Sequence, residues 1–228
     1  MNRKNLRSLA AGVALLLAVG ALAGCGGEKK ADDSKKMVTV GIAQLVEHGA
    51  LDAANKGFVA GMASKGFKEN ENVKYDRQNA QADQSNLQNI AQRFVSNKVD
   101  LICAIATPTA QTMANATKDI PIVATAVTDY EVAKLAASNN EPKGNVTGTS
   151  DMNPIDQQLE LLLKIAPQTK NIGTVYSSSE VNSQLQVDVL KKLAGDKGIN
   201  VIEATVSTVN DIQQAAHSLV GNCLLYTS

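Results

Sequence analysis

Tryptophan is absent from this 228-residue chain and aromatic residues make up only 3% of it. A sugar sandwiched between rings is therefore hard to build, since only Tyr130 and Tyr176 lie near the loops where a ligand would sit. Net charge is absent as well: 22 basic residues balance 22 acidic ones. Without a basic face for a polyanion, the composition argues against nucleic acid as a partner. Cysteine and histidine are few, at Cys25, Cys103, Cys223, His48 and His217, and no CxxC or HExxH spacing occurs. Neither a metal site nor a disulfide framework is expected, and no cofactor is implied. The G-x-S-x-G elbow, the P-loop and the G-x-G-x-x-G fingerprint are all missing. What remains is a chain with 44% hydrophobic and 19% charged residues and five prolines, which argues against disorder and for a sizeable core.

The composition is uneven along the chain. Arg3, Lys4 and Arg7 precede an uncharged apolar stretch over residues 9–23, which closes on Leu22, Ala23, Gly24 and Cys25. A basic start, an apolar middle too short for a membrane span and small residues at the end make an export signal over residues 1–24. The small pair before Cys25 resembles the lipobox of bacterial lipoproteins, in which that cysteine receives lipid and becomes the new N-terminus. Residues 25–36, with Gly26, Gly27 and a polar run, are expected to form a flexible tether. Removal of the signal takes three positive charges and no acid, so the exported chain is mildly acidic.

From residue 37 onward short apolar runs alternate with segments of helical period, the pattern of repeated βα units around a parallel sheet. The spacing predicts strands over residues 38–45, 73–77, 101–105, 122–126, 146–149, 172–176 and 201–206. Helical stripes run through Leu51, Ala54, Phe58 and Met62; Leu87, Ile90, Ala91 and Phe94; Ile155, Leu159, Leu162 and Ala166; Leu185, Val189 and Leu193; and Ile212, Ala215 and Leu219. Helix starts are expected at Asp83, at Thr107 with Pro108 in the first helical position, at Asn153 with Pro154 likewise, and at a Ser177/Glu180 capping box. The fold class is α/β, in two doubly wound parallel-sheet lobes over residues 37–150 and 151–222, the second incomplete.

In open parallel sheets ligands gather outside the carboxyl ends of the strands. The loops there are residues 46–49, 106–109, 127–130 and 177–180. Thr107 and the run Ser177, Ser178, Ser179 bring hydroxyls to positive helix ends, where a small carboxylate is well received, while Glu47 and Asp129 can face an ammonium group. The alternative reading is that Thr107, Ser177 and Glu180 merely cap their helices and Glu47 is a solvated loop residue. An exported hydrolase would need a base beside a nucleophile, and His48 with Asp129 and a loop serine is the combination on offer. His217 has no evident partner. Cys103 lies inside an apolar run and reads as a buried, inert hydrophobe.

Five stretches, Gly41-Ile-Ala-Gln-Leu-Val-Glu-His48, Asn79-Ala-Gln-Ala-Asp-Gln-Ser-Asn-Leu87, Ala104-Ile-Ala-Thr-Pro108, Thr125-Ala-Val-Thr-Asp129 and Gly144-Asn-Val-Thr-Gly-Thr-Ser-Asp151, resemble the ABC-transporter substrate-binding lipoproteins of the tryptophan/tyrosine-binding type. The resemblance implies two lobes of the type I periplasmic-binding-protein kind, closing on one small amino acid and delivering it to a membrane permease. It implies a monomer, held on the extracytoplasmic face of the membrane through lipid on Cys25, with no catalytic residue. By position it puts ligand loops at Gln44 and Glu47, at Thr107, at Thr128 and Asp129, and at Tyr176 through Ser179. Family members continue further, and residues 223–228 resemble the translation of a sequencing-library adapter, so that tail is expected to be non-native. The same fold with a sugar, nucleoside or signalling ligand is the alternative.

Overall fold

A computed structural model describes residues 37–142, 144–221 and 223–227; the expected export signal and tether, with Cys25, lie outside the described residues. The first sheet is built from β1 (Val38–Gln44), β2 (Val73–Asn79), β3 (Leu101–Ile105), β4 (Ile122–Val127) and β5 (Val146–Ser150). All its pairings are parallel, and the spatial order is β2-β1-β3-β4-β5. Parallel neighbours cannot be joined by tight hairpins, so crossover helices lie on the faces: α1 (Gly49–Ser64), α2 (Gln84–Ser96) and α3 (Thr107–Ala116). The second sheet has the order β7-β6-β8, with β6 (Asn171–Ser177), β7 (Asn200–Val206) and β8 (Leu224–Thr227) also parallel. Helices α4 (Ile155–Ile165), α5 (Val181–Gly195) and α6 (Ile212–Leu219) accompany it. The α/β class with doubly wound parallel sheets is what the sequence pattern implied.

The central strands are buried on both faces, and alternate residues join different clusters. Val40, Ile42, Cys103 and Ile105 form one cluster with the half-buried Leu51, Ala54, Phe58 and Met62 of α1. On the other face Ala43, Ile102 and Ala104 meet Leu87, Ile90 and Phe94 of α2 and Met113 of α3. Cys103 is fully buried, and burial pushes its thiol up to about 12, which leaves it inert. The edge strand β2 is guarded by charge: Arg77 forks onto Glu69 at 2.6 and 2.9 Å and lies 4.8 Å over the Tyr75 ring, while Arg93 reaches Asp76 at 2.7 Å.

Several local expectations are corrected. Helix α1 has no fully buried residue, although its stripe does face the sheet. In α5 the buried face is Val187, Leu190 and Ala194, with Val189 and Leu193 half-buried beside it, a rotation from the Leu185-centred stripe. Helix α3 begins at Thr107 itself, with Ala106 in the cap position, and α4 begins at Ile155, with Pro154 there instead of Asn153. The Ser177/Glu180 capping box does not form, because the Ser177 hydroxyl is held 2.9 Å from that of Ser179 and Glu180 itself occupies the cap position. Asp83 does cap α2, accepting from the Asn86 amide at 2.8 Å. Residues 224–227, within the tail expected to be non-native, form β8, which pairs with β6 through Ile172↔Leu224 to Val175↔Thr227; the pairing leaves the origin of the tail untested.

Gly41 shows how tightly β1 meets α2, since a Cβ built there would lie 2.7–2.8 Å from the Phe94 ring, which is fully buried. Overpacking of that kind costs roughly 1–3 kcal/mol. Gly41→Ala is expected to lower unfolding stability by about that amount in urea titrations, with the change in the midpoint rather than the slope.

Candidate functional site

The order β2-β1-β3 makes the carboxyl ends of β1 and β3 a switch point, where the chain leaves in opposite directions and a crevice opens. Gln44 and Ile105 are paired at that edge. Gln44 is buried, donating to the Val46 carbonyl at 2.9 Å and to Asp52 at 2.6 Å and accepting from Asn55 at 3.2 Å, so it is anchored to its own loop and to α1. Glu47 next to it is exposed. His48 caps α1, its Nδ1 accepting from the Ala50 amide at 3.3 Å. The geometry thus gives His48 a structural task.

Across the crevice Thr107 is 2% exposed, and its hydroxyl has no hydrogen-bond partner. Thr109, two residues further into α3, is buried with an unpartnered hydroxyl too. Buried polar atoms are nearly always paired, because an unmade bond costs about 1–3 kcal/mol. The turn before them is strained. Ala106 has φ 89° and ψ 153°, a region that glycine alone enters without difficulty. Left-handed backbone recurs at Gln81 and Ala82 after β2 and at Ala126 in β4, so four such residues line the carboxyl edge of this sheet. Alanine in these places leaves no trace in a sequence pattern.

Thr128 is buried, and its carbonyl accepts from the Ser150 hydroxyl at 2.7 Å. Asp129 is half-buried; its carboxylate accepts from the Val132 amide and from Asn139 Nδ2, both at 2.8 Å. These bonds fix the loop and leave Asp129 no arrangement with His48 of the kind a hydrolase needs.

In the second sheet a cleft of about 550 Å³ lies at the carboxyl ends of β6 and β7. Tyr176, Ser177, Ser179, Val206, Val209 and Ile212 are among its lining residues, and Gln81 and Ala82 of the first sheet's edge complete it. Of the residues singled out in the sequence, the structure brings Tyr176, Ser177 and Ser179 into this cleft, while Ser178 is exposed next to them. The cleft also takes an apolar contribution from Val209 and from Ile212, which the sequence places only in a helical stripe. A nearby sequence signal is Thr208 with Asp211 three residues later, which here forms a true capping box. The Tyr176 hydroxyl is engaged within its own lobe, 2.7 Å from Glu203 Oε2 and 2.9 Å from Gln184 Oε1, and Lys191 donates to the other Glu203 oxygen at 2.5 Å. No cluster able to hold a metal ion occurs among the described residues.

The model of the family described as ABC transporter substrate binding protein matches residues 39–225. The chain belongs to that family. It is 48% identical over 228 residues to the tyrosine-binding protein of Clostridioides difficile strain R20291, covering 96% of this chain and 65% of that one. Among solved structures it resembles the ABC domain in complex with L-Trp from Streptococcus pneumonia, at 38% identity and TM-score 0.81, over 85% of this chain and 65% of that one. It also resembles the ligand-free, open structure of a substrate-binding protein with adhesive properties from Clostridium difficile, at 49% identity and TM-score 0.62, over 84% and 65%. The chain therefore spans about 65% of the length of these substrate-binding relatives, which are not enzymes.

In this family member the Glu203 carboxyl is held below its ordinary value of 4.5, first by the Lys191 ammonium and next by the Tyr176 hydroxyl. A carboxyl depressed in the folded state binds fewer protons folded than unfolded at low pH. Its contribution is therefore complete above about pH 4.5 and is lost as pH falls through the lowered value. Glu203→Gln is expected to flatten the acid limb of the stability profile below that pH, checked by thermal unfolding across pH 3 to 7.

Proposed function

We propose that the protein is the lipid-anchored solute-binding component of an ABC importer and captures a small amino acid, of the aromatic type, by closure of two lobes. One observation carries the reading. The Thr107 hydroxyl, buried and without a partner, stands at the positive end of α3 beside the strained Ala106, where an amino-acid carboxylate would satisfy it. The apolar Val209 and Ile212 and the hydroxyls of Ser177 and Ser179 suit the rest of such a ligand. Exposed Glu47 offers a counter-charge for an ammonium group.

The names of the relatives support the ligand class, one being called tyrosine-binding and another holding L-Trp. Closure is supported by a contrast: this chain superposes better on the L-Trp complex than on the open, ligand-free relative, although the latter is closer in sequence. A ligand that touches both lobes favours the closed state by its differential affinity for it, and a permease can read that shape. The lobe boundary near residue 151, the monomeric state, the permease partner and the extracytoplasmic, membrane-anchored location through Cys25 belong to the same proposal.

Calorimetry on the full gene product with L-Trp, L-Tyr and L-Phe is expected to give saturable binding to at least one; none would remove the amino-acid assignment. Thr107→Val is expected to weaken that binding at least tenfold while leaving stability unchanged or raising it by about 1 kcal/mol, because an unpaired buried hydroxyl is removed. Thr107→Ser should retain affinity. Anchoring is tested separately: Cys25→Ala is expected to release the exported protein from the membrane fraction, and unchanged retention would reject the lipid attachment.

A further inference from the structure

Strand β4 carries one residue more than its partner at the carboxyl edge. Ala124 pairs with Gly148 and Val127 with Ser150, three steps on β4 against two on β5, so a bulge falls at residues 125–126, with Ala126 at φ 55°. A bulge re-aims whatever follows it, and here Thr128 and Asp129 follow. The phenol of Tyr130 folds back over this irregularity: the residue is 6% exposed, and its hydroxyl reaches the Ala124 carbonyl at 3.0 Å and the Thr149 carbonyl at 3.2 Å. The ring needs room that Gly148 alone supplies, because a Cβ there would overlap both the Ala124 carbonyl and the Tyr130 hydroxyl. Burial pushes the phenol up to about 12, so it stays a donor at any working pH.

The same residue is gripped from its other end. The Tyr130 amide donates to Asn139 Oδ1 at 2.7 Å, and that side chain's Nδ2 donates to Asp129 at 2.8 Å. Beside it the Ser150 hydroxyl donates to the Thr128 carbonyl at 2.7 Å, and the Asp151 amide to the Val127 carbonyl at 3.1 Å. Three bonds thereby join residues 127–130 to the start of the crossover to α4, those of the Tyr130 hydroxyl to Thr149, of Ser150 to Thr128 and of Asp151 to Val127, and Asn139 adds two within the loop.

We propose that Tyr130 is a positioning residue: its hydroxyl pins the β4 bulge to β5, sets the direction of Thr128 and Asp129, and makes the ligand loop one body with the crossover between the sheets. The inference rests on the amino-acid-binding reading for its effect on affinity but not for its structural content. Tyr130→Phe keeps the ring and removes both carbonyl bonds. Hydrogen exchange on the full gene product is expected to show the amides of residues 130 and 151, which donate to Asn139 and to the Val127 carbonyl, losing at least tenfold protection in Tyr130→Phe, with β6 and α5 unchanged. Calorimetry with L-Trp and L-Tyr should show at least tenfold weaker binding. If the variant does not fold, Ser150→Ala, which leaves the ring in place, is expected to give the same local loss of protection at nearly unchanged melting temperature. Unaltered exchange at residues 130 and 151 overturns the proposal whether or not any amino acid binds. A melting temperature lowered with exchange pattern and affinity intact overturns it too, since that is the outcome for a residue that only stabilises the core. Failure of the unmodified protein to bind any of the amino acids, with the exchange change present, rejects the ligand class and leaves the positioning role standing.

Discussion

Parallel strands impose the constraint from which the rest of this molecule follows. A strand that must lie parallel to its neighbour has to be followed by a return path over the sheet face, so every strand ends on the same side and every loop there leads into a helix start. In the first sheet this gathers the ends of β1, β2, β3 and β4 along one edge, and the reversal between β1 and β3 opens the crevice. In an antiparallel arrangement Gln44 and Thr107 would not share one edge of the sheet. The second sheet repeats the scheme, with β6 flanked by β7 and β8 and the cleft at the ends of β6 and β7.

Along that edge the protein departs from ordinary backbone preferences. Ala106 and Ala126 adopt left-handed φ values without being glycine, and Thr107 and Thr109 bury hydroxyls without partners. Strain and unmet hydrogen bonds persist only where the surrounding structure over-determines them. Here the surroundings are rigid: Met113 and Phe94 are fully buried beneath the sheet, Tyr130 straps the bulge, and Gln44 holds three bonds. A stiff scaffold thus holds two buried hydroxyls without partners at the start of α3.

The strands were legible because each is a short apolar run bounded by polar turns; the seven foreseen lie within one or two residues of β1 to β7. Helix faces were legible where one stripe dominated, as with Leu87, Ile90, Ala91 and Phe94 in α2. They were misjudged in α5, where Gln186 is buried and two candidate stripes differ by a small rotation. Caps were the weakest part. Ser177 and Glu180 have the right spacing, yet the Ser177 hydroxyl found Ser179 instead, and a capping box formed at Thr208 and Asp211. Local hydrogen bonds of similar strength compete there, and backbone geometry set by distant packing selects among them.

The sequence by itself determined the alternation of elements, the parallel α/β class and the side of the sheet on which polar loops collect, because these follow from periodicities of two and 3.6 residues that the side chains carry individually. Tertiary structure alone decided which candidates meet: that Tyr176, Ser177 and Ser179 share a cleft with Gln81 and Ala82, that His48 is spent as a cap, and that Thr107 is left with an empty hydrogen bond. The reason is physical. Whether a polar group is satisfied depends on atoms far away in the chain, such as Ser150 on Thr128 or Gly148 beneath Tyr130, and no local pattern records which of them will be near.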